Sequence, residues 1–154
     1  MEQIKWPFLK QTWGIEFESS KGAYLYTKDG RKILDAAGGA IVNNIGYGRE
    51  EVAEAISKAV INNSYILPPF LTPEREALLD ELRNHWLPPH LTRIHLSSGG
   101  SEANESAVKL AIQYQASRGK PEKNIILTRS LSYHGTTLNM SGISGHEARK
   151  RGLE

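Results

Sequence analysis

The chain has 154 residues, enough for one domain with a core of its own and too few for two large ones. Its formal net charge of +2 is too small to argue for a nucleic-acid partner, and the lack of cysteine excludes disulfides and thiolate chemistry. No stretch nears the roughly 20 apolar residues that span a bilayer. The opening Met1–Phe8 lacks the apolar core of a signal peptide, so the expectation is a soluble, cytoplasmic protein with no membrane partner.

Residues 1–13 hold Trp6, Pro7 and Trp13 and read as an arm that lies on something, because exposed tryptophan is uncommon on a lone monomer. Ile15-Glu16-Phe17-Glu18 alternates as a half-buried strand does, and Ala23-Tyr24-Leu25-Tyr26 follows as a second. Lys28-Asp29-Gly30-Arg31 reads as a hairpin turn into Lys32-Ile33-Leu34, with Asp-Gly suited to type I′. The three make a small antiparallel meander. Asp35 to Gly48, with four glycines and two asparagines, reads as a functional loop or as a buried crossing of small residues. Arg49 to Val60 returns to helical spacing, with Val52, Ala55, Ile56, Ala59 and Val60 on one face.

The prolines keep Tyr65-Ile66-Leu67-Pro68-Pro69-Phe70-Leu71 out of a helix, leaving an apolar extended loop that is buried or lines a pocket. Thr72-Pro73 opens a helix that carries Ala77, Leu78, Leu82 and Trp86 and ends at Pro88-Pro89. Arg93-Ile94-His95-Leu96 reads as a strand, residues 103–114 as a helix with Ala103, Ala107, Leu110, Ala111 and Tyr114 on one stripe, and residues 124–128 as a strand buried on both faces. That order predicts a βαβ unit, hence a parallel sheet with a right-handed crossover.

Gly99, Gly100 and Ser101 sit where the strand hands over to the helix. Unpaired amides and the positive end of the helix dipole suit such a place to a phosphate. The alternative is an ordinary loop with Ser101 as N-cap and Glu105 in the first turn. Ser130 to Thr137 follows the second strand and falls at the same sheet edge, where ligands bind in open α/β sheets. It offers Tyr133, which can stack on a ring. It also offers His134, for which a structural histidine bonded to nearby backbone is the alternative.

Taken in order, these motifs resemble the class III aminotransferases, fold-type I enzymes that use pyridoxal 5′-phosphate. Tyr24-Leu25-Tyr26, Asp29-Gly30-Arg31 and Leu34-Asp35 look like the family's opening stretch, and Gly38-Gly39 with Gly46-Tyr47-Gly48-Arg49 like its next. Ser98-Gly99-Gly100-Ser101-Glu102-Ala103-Asn104-Glu105 is similar to its phosphate loop, and Tyr133-His134-Gly135 to its ring-binding segment. The resemblance implies an α/β chain with two parts. Residues 1–60 would hold the arm, meander, glycine-rich loop and first helix, and residues 61–154 the beginning of the large cofactor domain with a mainly parallel sheet. It implies that the Gly100 and Ser101 amides, with the Ser101 hydroxyl, hold the cofactor phosphate, with Tyr133 on the pyridine ring and His134 beside it. It assigns Ile41 and Leu67 to the substrate pocket, an amine or ω-amino acid and a keto acid as substrates, and a homodimer for the whole enzyme.

Two departures stand out. Gly99 occupies a place where many relatives have serine, and no lysine matches the family's Schiff-base lysine. The expectation is therefore the N-terminal portion of such an enzyme, with no catalytic residue in the chain, no metal, and no activity alone. A non-catalytic phosphate- or partner-binding module on the same fold, and part of an aminomutase of the same family, are the competing readings.

Overall fold

Phe17–Lys21 (β1), Tyr24–Thr27 (β2) and Lys32–Leu34 (β3) form a three-stranded antiparallel sheet in the order β1-β2-β3. Tyr24 lies opposite both Lys21 and Leu34, and a register shift bulges β1 between Phe17 and Ser19. This computed structural model describes residues 14–150 and 152; the expected arm at 1–13 lies outside the described residues. Contacts divide the chain into two units between Leu78 and Leu79.

The β2–β3 turn corrects the type I′ expectation. Thr27 N–H donates to Arg31 O (3.0 Å), Gly30 N–H donates to Thr27 O (3.0 Å), and only Gly30 takes positive φ (+85°). That is a three-residue loop, a type I turn closed by a left-handed glycine, which turns the chain without forcing Asp29 through the left-handed region. The buried Thr27 hydroxyl organises it, accepting from Arg31 N–H (2.9 Å) and donating to the Asp29 carboxylate. The Arg31 guanidinium, then Thr27, hold the Asp29 carboxyl down to about 2.

The glycine-rich stretch is a formed element. Gly38–Ile41 (α1) is a single turn wound left-handed, with φ of 56°, 58°, 68° and 69° in order. Left-handed helix costs an L-residue roughly 1–2 kcal/mol, so Ala40 and Ile41 need something to hold them. Glu50–Asn62 (α2) follows, with Glu50 and Glu51 in its first turn, where acids complement the dipole. Thr72 caps Pro73–Glu81 (α3) by accepting Arg75 N–H (3.3 Å), as the sequence predicts. Helical backbone continues through Leu82–Trp86 as a π-turn, in which Leu87 N–H reaches back to Leu82 O, and stops before Pro88; Trp86 is exposed.

The second unit is built on Gly100–Ser117 (α4), with Leu138–Ile143 (α5) packed on it and Glu147–Lys150 (α6) after. Two features of the described residues differ from the sequence reading. Residues 93–96 and 124–128 carry no ladder bonds, and the antiparallel meander is the only sheet among the described residues. A strand exists only beside a neighbour, and the described residues supply none. The stripe Ala103, Ala107, Leu110, Ala111 and Tyr114 is exposed; the half-buried face of α4 is Ser101, Glu105, Val108, Ile112 and Gln115. Polar bonds from Ser101 and Glu105 to Thr136, Thr137 and Asn139 occupy that face.

Candidate functional site

Gly99 stands at the N-cap of α4 in extended backbone, and the first helical bond runs from Ala103 N–H to Gly99 O (3.0 Å). The amides of Gly100, Ser101 and Glu102 ahead of it meet no acceptor among the described residues. Ser101 is therefore inside the helix, not its cap, and its hydroxyl is used elsewhere. Ser101 Oγ accepts Thr136 N–H at 3.0 Å, which leaves the hydroxyl proton to donate to another group. Three unpaired amides and one hydroxyl at the positive end of an 18-residue helix are a donor set for a phosphate.

The loop bearing Tyr133 and His134 is brought to this turn by bonds between residues thirty or more positions apart. Asn104 Nδ2 donates to His134 O (2.7 Å), and Thr137 Oγ1 (2.6 Å) and Asn139 Nδ2 (3.2 Å) donate to the Glu105 carboxylate. The Thr137 hydroxyl, then Asn139, hold the Glu105 carboxyl below its ordinary range. From the other side the buried Ser144 Oγ accepts His134 N–H (3.1 Å) and donates to Met140 O (2.6 Å). Leu131 N–H donates to Gly145 O (3.1 Å), and Gly145 N–H to Ser132 O (2.9 Å).

Tyr133 is 55% exposed. The His134 main chain is bonded on both sides, but its Nε2 is buried without a partner among the described residues. A backbone-bonded imidazole does not account for that atom. A groove of about 990 Å³ along α4 and α5, lined by Glu105, Lys109, Ile112, Leu138 and Ile143, includes none of Gly100, Ser101, Tyr133 or His134.

Ile41 and Leu67 lie in the first unit. Ile41 stands on the left-handed turn, 82% exposed. Leu67 is half exposed in a loop gathered by one side chain. The Arg75 guanidinium donates to Leu67 O (3.3 Å), Pro68 O (3.4 Å), Ile66 O (3.2 Å) and Phe70 O. Arg75 and Thr136 carry no motif that marks them, and Asp35 enters only as the end of Leu34-Asp35; the partners of all three become visible only in three dimensions. Among the described residues no three acids or histidines cluster as a metal site, and no helix is long and apolar enough to cross a membrane.

The model of the class-III aminotransferase family matches residues 10–153. The chain belongs to the class III aminotransferases. This class III chain is 36% identical over 131 residues to the uncharacterized aminotransferase YodT of Bacillus subtilis, covering 85% of itself and 30% of that protein. It is likewise 36% identical over 134 residues to a hypotaurine/taurine–pyruvate aminotransferase of Paracoccus denitrificans, covering 86% and 29%. An (S)-enantioselective omega-transaminase from Thermomicrobium roseum superposes with a TM-score of 0.83 at 29% identity, over 91% of this chain and 32% of that one. An amine transaminase from an uncultivated Pseudomonas species, solved with pyridoxal phosphate bound, gives 0.84 at 26%, over 97% and 35%. The fold is thus fold type I, and the class III chain spans about 30% of the length of the curated relatives it matches.

Proposed function

We propose that this chain supplies the phosphate- and ring-binding part of a pyridoxal-phosphate aminotransferase. The whole protein would move an amino group between an amine or ω-amino acid and a keto acid, as a cytoplasmic homodimer. The observation that carries the reading is the set of three unpaired amides at the start of α4, framed by the Tyr133 loop within a class III chain. Bound there, pyridoxal phosphate supplies the electron sink for amino-group transfer.

The residues of the chain bind and orient. The Gly100 and Ser101 amides and the Ser101 hydroxyl hold the phosphate, their geometry fixed by the Thr136 bond. Tyr133 covers one face of the ring. The buried His134 Nε2 is available for a hydrogen bond that the described residues do not make. Ile41 and Leu67 belong to the substrate pocket of the whole protein, where their exposed apolar side chains exclude water. No lysine of the 154 residues matches the family's catalytic lysine, so this stretch alone is expected not to transaminate.

The test uses the purified chain. Pyridoxine 5′-phosphate, which has no aldehyde to react with surface lysines, should bind, and Ser101→Ala should weaken it about tenfold by removing a charge-assisted bond. Equal affinity in Ser101→Ala and Tyr133→Ala would remove the cradle from consideration. Separately, pyridoxal phosphate followed by borohydride should leave no stoichiometric adduct on any lysine of the 154 residues. One specific adduct with amine-dependent turnover would show a complete enzyme.

A further inference from the structure

The geometry points to Asp35 as the positioning residue of the first unit: its carboxylate holds Gly38–Ile41 in the left-handed turn and so sets where the Ile41 and Val42 side chains stand. The turn has bonds of its own, from Ile41 N–H to Ala37 O (2.8 Å) and from Val42 and Asn43 N–H to Gly38 O (3.0 and 2.9 Å). These close the turn without choosing its hand. Ala40 and Ile41 occupy a region that L-residues avoid. Burial does not compensate, since Ile41 and Val42 are both more than 80% exposed.

What ties the turn to its surroundings converges on one residue. Gly39 N–H donates to Asp35 Oδ2 (2.8 Å), Ala37 N–H to Oδ1 (3.1 Å), and Gly38 N–H to the Asp35 carbonyl (3.4 Å). Tyr47 Oη donates to the same Oδ2 (2.7 Å) and fixes the carboxylate from the other side. Both ends of this clamp are anchored on the meander. Asp35 N–H donates to Ala23 O (2.9 Å), and Tyr47 exchanges two backbone bonds with Gly22 (2.9 and 2.8 Å). Gly39 is fitted to the clamp, because a Cβ there would stand 3.2 Å from Tyr47 Oη at a φ of +58°.

The inference adds to the pocket assignment of Ile41 and survives its failure, because the test reads the turn and not the substrate. Asn at position 35 keeps one acceptor oxygen where the native residue uses two, so Asp35→Asn cannot serve Ala37 and Gly39 together. Hydrogen exchange followed by mass spectrometry on the 154-residue chain should show peptide 36–44 exchanging about tenfold faster in Asp35→Asn, with peptide 22–34 unchanged. The Ile41 and Val42 methyl shifts should move toward random-coil values while that of Ile33 stays. Tyr47→Phe keeps the carboxylate and its amide bonds, and should give a smaller acceleration confined to the same peptide; it carries the test if Asp35→Asn does not fold. Unchanged exchange in peptide 36–44, or equal acceleration in both peptides, overturns the assignment.

Discussion

Gly145→Ala tests how the Tyr133 loop is held. A Cβ at position 145 would stand 2.4 Å from Arg129 O, 2.5 Å from Leu131 N and 2.8 Å from the Ser130 carbonyl carbon. All three are backbone atoms, so no side chain can swing aside. Relief requires the 129–131 backbone to move by about 1 Å, an overpacking cost of roughly 1–3 kcal/mol. That movement also breaks the two bonds between Gly145 and residues 131 and 132, each worth about 0.5–1.5 kcal/mol. The sum, roughly 2–6 kcal/mol, is a large share of the 5–15 kcal/mol that holds a typical domain. Urea unfolding followed by circular dichroism should show the midpoint falling by about 1 M or more, given slopes of about 1–3 kcal/mol per molar. Gly119→Ala is the control, since its Cβ would meet nothing within 4 Å and only the φ of +71° opposes it. A Gly145→Ala midpoint equal to that of Gly119→Ala would refute the described packing.

Three further outcomes are expected. Arg75→Ala should release the carbonyls of residues 66–70 and speed chymotryptic cleavage in that loop about tenfold, leaving the meander intact. Thr27→Val should strand the Arg31 amide and cost about 1–2 kcal/mol; an NMR titration should also find the Asp29 carboxyl rising from about 2 toward 3.8. Glu105 binds its proton less readily folded than unfolded, so its contribution to stability is complete above pH 4.5 and fades as pH falls through its lowered folded value. Urea midpoints measured across that acid window should be flatter in Glu105→Gln than in the native chain.

The meander and α2 to α4 could be read from the sequence because each rests on local signals: alternation at Phe17, a Thr72-Pro73 start, glycines before an apolar period. Segments 93–96 and 124–128 could not, because β structure needs a partner strand that local pattern does not contain. The motifs name Gly100, Ser101, Tyr133 and His134 as the candidate site, and the bonds around them carry no sequence signal. Glu105 meets Thr137 and Asn139, and Asn104 meets the carbonyl of His134, across long stretches of chain. The left-handed turn at 38–41 was hidden for another reason. Ala40 and Ile41 have no preference for that conformation and take it only because Asp35 and Tyr47 impose it.

The separation of bonding partners along the chain also orders events in time. Every bond of the meander, including the Gly22–Tyr47 bridge, closes within the first 47 residues, and hairpins of this kind form in about 1–10 μs. The start of α4 is framed only by Thr136 to Asn139. At roughly 5–20 residues per second of synthesis, those residues emerge several seconds after the meander is complete. α4 itself is complete at Ser117, about 20 residues before Thr136, so its first amides stand unframed for roughly 1–4 s. The growing chain thus closes its meander within microseconds of synthesis and frames the start of α4 only seconds later.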